Sequence, residues 1–254
     1  MVSITLDKAS VLFPIYTKES RSLKNAVLSV TTGGRIARDR SNHVCVRAID
    51  QISLKIQHGD RIGLVGHNGA GKTTLLRVLA GIFEPSEGSV LVQGKVTPMF
   101  DISLGIDTES TGYENIILRG LYMGLSKAQI LGRVDEIAEF TELGDFLALP
   151  VRTYSLGMQA RLTFAMATCV APEILLLDEG IGSGDASFLG KANQRLKEFM
   201  HATGILVFAT HGEYLIREFC NKVMMMEHGR LVWMADVDEG LARYHAAAEQ
   251  AAAA

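Results

Sequence analysis

The stretch from Gly66 to Leu76 reads GHNGAGKTTLL and decides the fold of this chain. It fits the pattern G-x-x-x-x-G-K-[ST], whose glycines let backbone N–H groups surround phosphate oxygens. The preceding residues, DRIGLVG, are apolar and β-prone, and the following TTLLRVLAG has helical spacing that stops at Gly81. A strand, a glycine-rich loop and a helix in this order predict a nucleoside triphosphate site. The alternative is a glycine-rich turn without a ligand.

The residues of this loop have separate predicted roles. We expect the Lys72 ammonium to reach the β- and γ-phosphates of a nucleoside triphosphate, and the Thr73 hydroxyl to bind Mg²⁺. A nucleoside triphosphate and Mg²⁺ are therefore the predicted cofactors. The other nucleotide contacts are expected from the rest of the loop, at His67, Asn68, Gly69, Ala70, Gly71 and Thr74.

Composition excludes several classes of protein. The chain has 254 residues, 48% of them hydrophobic, which suffices for one large α/β domain. Its formal charge of −3 argues against nucleic acid as a partner. We expect no signal peptide, because the N-terminal MVSITLDKAS has neither a basic region nor an apolar one. We expect no membrane span, because no run approaches about 18 apolar residues. Neither disulfides nor a metal pair are expected from the three widely separated cysteines, Cys45, Cys169 and Cys220.

The pattern of predicted elements changes from strands to helices and back. The segments ITLDKASVLF, ISLKIQ, RIGLVG and SVLVQG are predicted strands. TGYE and SKAQ are capping boxes that open the predicted helices NIILRGLYMG and ILGRVDEIAEF, and a third helix is predicted from Ser155 to Val170. EILLLDE and GILVFAT are then typical of buried parallel strands. KVMMMEHGRLVWM predicts a hairpin, and VDEGLARYH predicts a final helix.

These elements predict one domain over residues 1–247. A mostly helical lobe, at about residues 98–171, is inserted between core segments 1–97 and 172–247. Residues 248–254 are a low-complexity tail, to which we assign no function.

Acidic residues follow the predicted strand EILLLDE. Asp178 and Glu179 come at its carboxyl end, where ligands bind in such sheets. We expect Asp178 to complete the Mg²⁺ site with Thr73, and Glu179 to polarise the attacking water. His211 follows the next strand and is expected near the γ-phosphate. The alternatives are a solvated acidic turn and a strand-end histidine without a role.

The segment TYSLGMQARL predicts a second helix N-terminus suited to phosphate, with Ser155 as N-cap and Gly157 in the first turn. One chain needs one phosphate loop, so a second phosphate-binding element indicates a partner's nucleotide. Here the chain resembles the ATP-binding cassette (ABC) ATPases, in which two cassettes close head to tail and each signature loop caps the other's ATP. Their usual L-S-G-G-Q is replaced by YSLGM, so Leu156 and Met158 depart from the pattern.

The resemblance implies roles for three further positions. Asp185, at the end of GSGD, matches the loop that couples the two ATP sites of the dimer. Asp101 stands where most ABC proteins have a glutamine that touches Mg²⁺ and the permease. It is either a metal ligand or a solvated acid at the lobe boundary. Tyr16 best fits the aromatic residue that stacks on adenine, and Phe13 is its competitor.

The resemblance extends to one group within the family. FPIY, RSLKN, PMFDISLGID, TGYENI and LLLDEGIGSGD are similar to ATPase subunits that export polysaccharides, and Y-S-x-G-M is typical of that group. The implied fold is an α/β P-loop cassette with a mostly parallel core sheet, an N-terminal antiparallel β-subdomain and an inserted helical lobe. Some members carry an extra C-terminal carbohydrate-binding domain, which we do not expect here because the chain ends soon after His245.

The implied function is ATP hydrolysis that powers export of a lipid-linked polysaccharide, such as O-antigen or capsule. The implied partners are a second copy of the chain and a separate integral-membrane permease, at the cytoplasmic face of the inner membrane. One alternative is the ATPase subunit of a small-molecule or drug transporter. Another is a soluble ABC ATPase, against which the lack of a second cassette or a long coiled-coil insert argues. A third is an inactive regulatory cassette, against which the intact Lys72, Asp178, Glu179 and His211 argue.

A basic stretch from Lys18 to Arg47 separates the first strand from ISLKIQ. It holds seven basic and two acidic residues in a chain of net charge −3. One interpretation is a solvated hairpin. The other is an arm that meets anionic lipid head groups or the pyrophosphate of a lipid-linked glycan.

Overall fold

The computed structural model describes residues 2–15, 36–38, 44–100, 105–178 and 186–253. Every structural statement below concerns these residues. The chain divides into two compact units. The first is formed by Met1–Pro98, Glu173–Glu179 and Thr203–Ala254, and the second by Met99–Pro172 and Gly180–Ala202.

Ten described strands form two sheets. The four-stranded sheet has the order β2-β3-β1-β5 and is antiparallel. The six-stranded sheet has the order β10-β9-β4-β8-β7-β6. The strands are β1 (Ser3–Pro14), β2 (Ile36–Arg38), β3 (Val44–Gln57), β4 (Arg61–Val65), β5 (Glu87–Gln93), β6 (Val96–Met99), β7 (Ile174–Leu177), β8 (Ile205–Ala209), β9 (Lys222–Glu227) and β10 (Arg230–Asp236).

The centre of the larger sheet is parallel. Strand β4 runs parallel to β8 and β9, and β8 runs parallel to β7, whereas β9 and β10 form an antiparallel hairpin. Every residue of β7 and β8 is buried, as uninterrupted apolar runs predict for strands covered on both faces. Parallel strands point the same way, so the segments after β4, β7 and β8 leave the sheet at one edge.

The described helices are divided between the units. Those of the first unit are α1 (Lys72–Leu79), α7 (Glu213–Phe219) and α8 (Val237–Ala253). In the second unit, Phe140, Phe164 and Phe188 pack at the centre of the helices, with ring centroids 5.4 to 6.3 Å apart. These helices are α2 (Gly112–Tyr122), α3 (Lys127–Leu131), α4 (Val134–Thr141), α5 (Leu156–Ala167) and α6 (Ala186–His201), with 3₁₀ turns at Gly144–Ala148 and Val151–Thr153.

Both predicted capping boxes are confirmed. The Thr111 hydroxyl accepts a hydrogen bond from the Glu114 amide at 3.2 Å, and the Glu114 carboxylate accepts one from the Thr111 amide at 2.8 Å. Ser126 and Gln129 make the same reciprocal pair at the start of α3. Each box satisfies two N–H groups that the helix itself leaves without partners.

Three predicted boundaries are wrong. The segment ILGRVDEIAEF forms two helices, because Gly132 weakens the helix and the Arg133 amide donates to the Ile130 carbonyl, which closes α3. Strand β3 begins at Val44, eight residues before the predicted strand ISLKIQ, because its first residues pair with β2. Helix α8 continues through the alanine-rich tail, since alanine has the highest helix propensity.

The predicted division into domains stays a prediction. Helix α6 groups with the helical unit, although the sequence assigns residues 172–247 to the core. No helix among the described residues has both the length and the apolar character needed to cross a membrane.

Removing the α2 cap should destabilise the protein measurably. In Thr111→Ala the acceptor for the Glu114 amide is lost, which typically costs about 1 kcal/mol and should lower Tm by about 2–4 °C in calorimetry. Thr111→Ser keeps the acceptor and should unfold like the parent. Equal unfolding of the alanine and serine variants at the parent temperature would contradict the role of the cap.

The effect of the cap should also depend on pH. Hydrogen bonds from the backbone and hydroxyl of Thr111 lower the pKa of Glu114. A lowered pKa contributes stability that is present above the ordinary pKa and is lost as the pH falls through the lowered one. The difference between the parent and Thr111→Ala should therefore shrink in acid.

Candidate functional site

The phosphate loop connects β4 to α1 and runs close to the neighbouring backbone. Gly66 has φ +148°, and a Cβ there would lie 2.3 Å from the Met226 carbonyl oxygen. Gly71 has φ +106°, and its Cβ would lie 2.8 Å from the Ala48 carbonyl oxygen. Both distances are shorter than any side chain tolerates, so the path of the loop requires glycine at these two positions.

The loop concentrates positive charge at the start of α1. The Lys72 ammonium donates to the carbonyl oxygens of Gly66 at 2.6 Å and His67 at 3.4 Å. Gly71 is the N-cap of α1 and makes no side-chain cap bond, so the first N–H groups of the helix keep their attraction for an anion. This arrangement suits a phosphate chain.

A hydroxyl and a carboxylate meet beside this loop. The Thr73 hydroxyl donates to Asp178 Oδ2 at 2.7 Å, although the two residues are 105 positions apart. Thr73 lies in the first turn of α1, and Asp178 follows β7 directly. Both groups offer the oxygen ligands that Mg²⁺ prefers, so the residues present fit this ion.

One cavity of about 270 Å³ is lined by half of the predicted site residues. His211 follows β8, the parallel neighbour of β7, and therefore reaches the same edge of the sheet as Asp178. The predicted loop residues line the cavity with the exception of His67. The complete lining is Val46, Arg47, Ala48, Asn68, Gly69, Ala70, Gly71, Lys72, Thr73, Thr74, Asp178, His211 and Gly229.

Sequence reasoning missed the part of this lining that comes from β3 and the β9–β10 turn. Arg47 Nη1 donates to Asp50 Oδ1 at 2.6 Å, and Arg230 Nε donates to Asp50 Oδ2 at 2.6 Å. Burial raises the pKa of Asp50, but the hydrogen bonds from Arg47 and Arg230 outweigh it and leave this pKa below its ordinary value. Asp50 therefore stays ionised and positions Arg47, which places a cation at the cavity wall. In the sequence, Arg47 is simply the last residue of the basic stretch.

His67 has a different environment from the other loop residues. Its ring lies 5.1 Å, between centroids, from the ring of His228 in the β9–β10 turn. The Gly229 amide in that turn donates to the Ala70 carbonyl at 2.8 Å. The turn and the phosphate loop are thus joined through their backbones, and the His67 ring lies beside this turn.

The signature segment lies in the second unit. Ser155 is the N-cap of α5, and its hydroxyl accepts from the Met158 amide at 3.3 Å, as predicted from the sequence. Leu156 is 85% exposed, the largest value among the exposed apolar side chains. At the helix start, Ser155 and Leu156 are exposed and Gly157 is partly exposed.

Four predicted site residues lie outside the described residues, namely Tyr16, Asp101, Glu179 and Asp185. Their predicted roles stay predictions. Most of the basic stretch also lies outside, except that Ile36–Arg38 pairs with Val44–Val46. Phe13, the competitor of Tyr16, packs edge-on against Phe83 at 5.2 Å, as a strand residue with a packing role does.

Known proteins resemble this chain along nearly its whole length. A family model described as ABC transporter matches residues 49–182. The O-antigen export system ATP-binding protein RfbE of Yersinia enterocolitica is 47% identical over 238 residues, covering 94% of this chain and 99% of that protein. The teichoic acids export ATP-binding protein TagH of Staphylococcus haemolyticus is 33% identical over 243 residues, with 96% and 88% covered.

Solved structures share the fold. The ATP-binding cassette MJ0796, in a dimeric post-hydrolysis state with ADP and phosphate, has a TM-score of 0.63 at 19% identity, covering 92% of this chain and 98% of that one. The chain therefore belongs to the ABC transporter family and is an ATPase. The predicted fold class, a P-loop α/β cassette, is confirmed.

Adding one methyl group at Gly66 should disrupt the site. In Gly66→Ala the new Cβ meets the Met226 carbonyl, so the loop or β9 must move. We expect a lower Tm and at least a tenfold loss of affinity for a fluorescent ATP analogue, measured by titration. The control is Gly190→Ala, which meets nothing within 4 Å on an exposed part of α6 and should be neutral or stabilising. Parent-like nucleotide affinity in Gly66→Ala would contradict the tight loop path.

Proposed function

We propose that this chain is the ATP-hydrolysing subunit that powers export of a lipid-linked polysaccharide across the inner membrane, together with a separate permease. The observation that carries this proposal is the ATP-type cavity, with Lys72, Thr73, Asp178 and His211 around one space. The chain that builds it is 47% identical to an O-antigen export protein over nearly its full length.

ATP binding uses the loop and its charges. The triphosphate lies along the loop amides, with Lys72 on the β- and γ-phosphates. Thr73 and Asp178 hold Mg²⁺, which neutralises phosphate charge that develops during hydrolysis. The cavity wall adds the Arg47 guanidinium, which Asp50 holds in place.

Hydrolysis requires a base and an orienting group at the γ-phosphate. Glu179, the residue after Asp178, accepts a proton from the attacking water as the water adds to phosphorus. His211, at the end of β8, hydrogen-bonds the γ-phosphate or Glu179 and so orders the reacting groups. Of these two residues, His211 lines the cavity.

Two copies of the chain act together at the permease. Ser155 and Gly157, at the exposed start of α5, bind the partner's ATP through the helix N-terminus. Asp185 couples the two sites, Asp101 would be a further Mg²⁺ ligand, and Tyr16 stacks on adenine. A solved cassette of the same fold is dimeric, which supports this assembly. The dimer lies at the cytoplasmic face of the inner membrane, bound to the permease.

Removing the base should separate ATP binding from turnover. The amide of Glu179→Gln cannot accept the water proton, so we expect retained ATP binding and an ATPase rate lower by about 10²–10³. In cells, surface display of the glycan should be lost and the lipid-linked glycan should accumulate inside. Glu198→Gln, at an exposed position of α6, is the matched control and should hydrolyse and export normally. Parent-like turnover in Glu179→Gln contradicts the assigned base, whereas normal glycan display without ATPase activity contradicts the export role.

Mixed dimers should reveal whether the signature segment acts on the partner's ATP. One copy carries Lys72→Ala and the other Ser155→Arg, so one composite site holds both defects and the other holds neither. We expect partial ATPase activity in the mixed dimer and almost none in either homodimer. A mixed dimer as inactive as both homodimers would argue against head-to-tail sharing of the sites.

A further inference from the structure

Three side chains with metal-binding groups meet on the outer side of the phosphate loop. His67, Glu227 and His228 each place a ligand atom within 4.8 Å of the other two. The rings of His67 and His228 are tilted by 60° with centroids 5.1 Å apart, and His228 Nε2 lies 3.9 Å from Glu227 Oε1. All three side chains are exposed, so an ion from solvent can reach them.

The backbone holds these side chains together without help from an ion. Glu227 ends β9, and the β9–β10 turn has φ +49° at His228 and +81° at Gly229, the geometry of a tight two-residue hairpin. The Gly229 amide donates to the Ala70 carbonyl at 2.8 Å, which ties this turn to the loop that carries His67. Binding a metal usually costs the conformational entropy of ordering its ligands. Here the folded backbone already holds the three residues close together, so this entropic cost is smaller.

One hydrogen bond also orients the His67 ring for a metal. His67 Nδ1 lies 2.8 Å from the Asn68 carbonyl oxygen, which can only accept, so Nδ1 carries the proton. The lone pair is then on Nε2. Metal-binding histidines commonly donate their second ring N–H to a carbonyl in this way, because the bond fixes the tautomer and the ring direction.

We propose that His67, Glu227 and His228 form a Zn²⁺ site that links the phosphate loop to the β9–β10 turn. Two imidazoles and one carboxylate are a ligand set that zinc uses at about 2.0–2.2 Å, with water in the fourth position. The site differs from the Thr73–Asp178 pair, whose oxygen-only ligands suit Mg²⁺.

The consequence for the protein is a crosslink next to the nucleotide cavity. His67 is one of the two residues whose carbonyl oxygens accept from Lys72, so a zinc ion on its ring restrains the backbone that holds this lysine. Zinc that binds the folded chain more tightly than the unfolded one must also raise its thermal stability.

Zinc titration of the full, untagged chain tests this site. Calorimetric titration with ZnCl₂ alone, in a buffer that does not bind metals, should give one Zn²⁺ per chain, and zinc should raise Tm. Glu227→Gln and His228→Asn should each weaken zinc binding at least tenfold and remove the rise in Tm. Asparagine is chosen at position 228 because Asn-Gly is the favoured pair for this hairpin turn, so the backbone is preserved.

The matched control is His201→Ala, which removes an exposed histidine in the last turn of α6 and should bind zinc like the parent. Unfolding temperatures without zinc show that each variant is folded. The proposal is overturned if the parent binds no stoichiometric zinc, or if Glu227→Gln and His228→Asn bind it as tightly as the parent. Equal weakening by His201→Ala overturns it as well.

Discussion

The nucleotide site depends on how closely the phosphate loop approaches two neighbouring backbones. Gly66 lies against the Met226 carbonyl and Gly71 against the Ala48 carbonyl, and neither contact leaves room for a Cβ atom. These approaches connect the loop to β9 and to β3, which belong to different sheets. Because the loop is held from both sides, its amides and the start of α1 have a fixed direction before any phosphate binds, which is the preorganisation that electrostatic catalysis requires.

The parallel centre of the larger sheet brings the remaining groups to the loop. Strands β4, β8 and β7 are neighbours and run the same way, so the loop, His211 and Asp178 all follow strand ends at one edge. The Thr73–Asp178 hydrogen bond of 2.7 Å is the direct result. A ligand at this edge meets groups from three separate parts of the chain, each supported by a fully buried or nearly fully buried strand.

Ion pairs hold side chains outside the phosphate motif in place at the cavity. Asp50 accepts from both Arg47 and Arg230, and its amide donates to the Gly229 carbonyl at 2.9 Å. One carboxylate thus positions a cation at the cavity wall and holds the β9–β10 turn against β3. The same turn places His228 beside His67. The β9–β10 turn therefore helps to position both the cavity wall and the proposed zinc site.

Features that depend on residues close together in the chain could be predicted from the amino-acid order alone. The strand, loop and helix around Gly66 to Leu76 follow from local periodicity and glycine positions, and both capping boxes follow from a spacing of three residues. The order of Asp178 and His211 after apolar runs was also sufficient to predict their common edge. Helix ends were less predictable. The break at Gly132 depends on the hydrogen bond from the Arg133 amide to the Ile130 carbonyl, which the sequence pattern does not indicate.

The residues that surround the cavity come from distant parts of the chain, and strand pairing and packing bring them together. Arg47 and Gly229 line it because β3 and the β9–β10 turn pack against the loop, and no local pattern in the sequence encodes that contact. The packing of the β9–β10 turn against the loop also places the His67 ring beside His228 and not in the cavity lining. Its place in the motif predicts a nucleotide contact instead. Local hydrogen bonds and backbone angles are encoded by neighbouring residues, whereas strand pairing and packing join residues up to 180 positions apart, as Arg230 and Asp50 show.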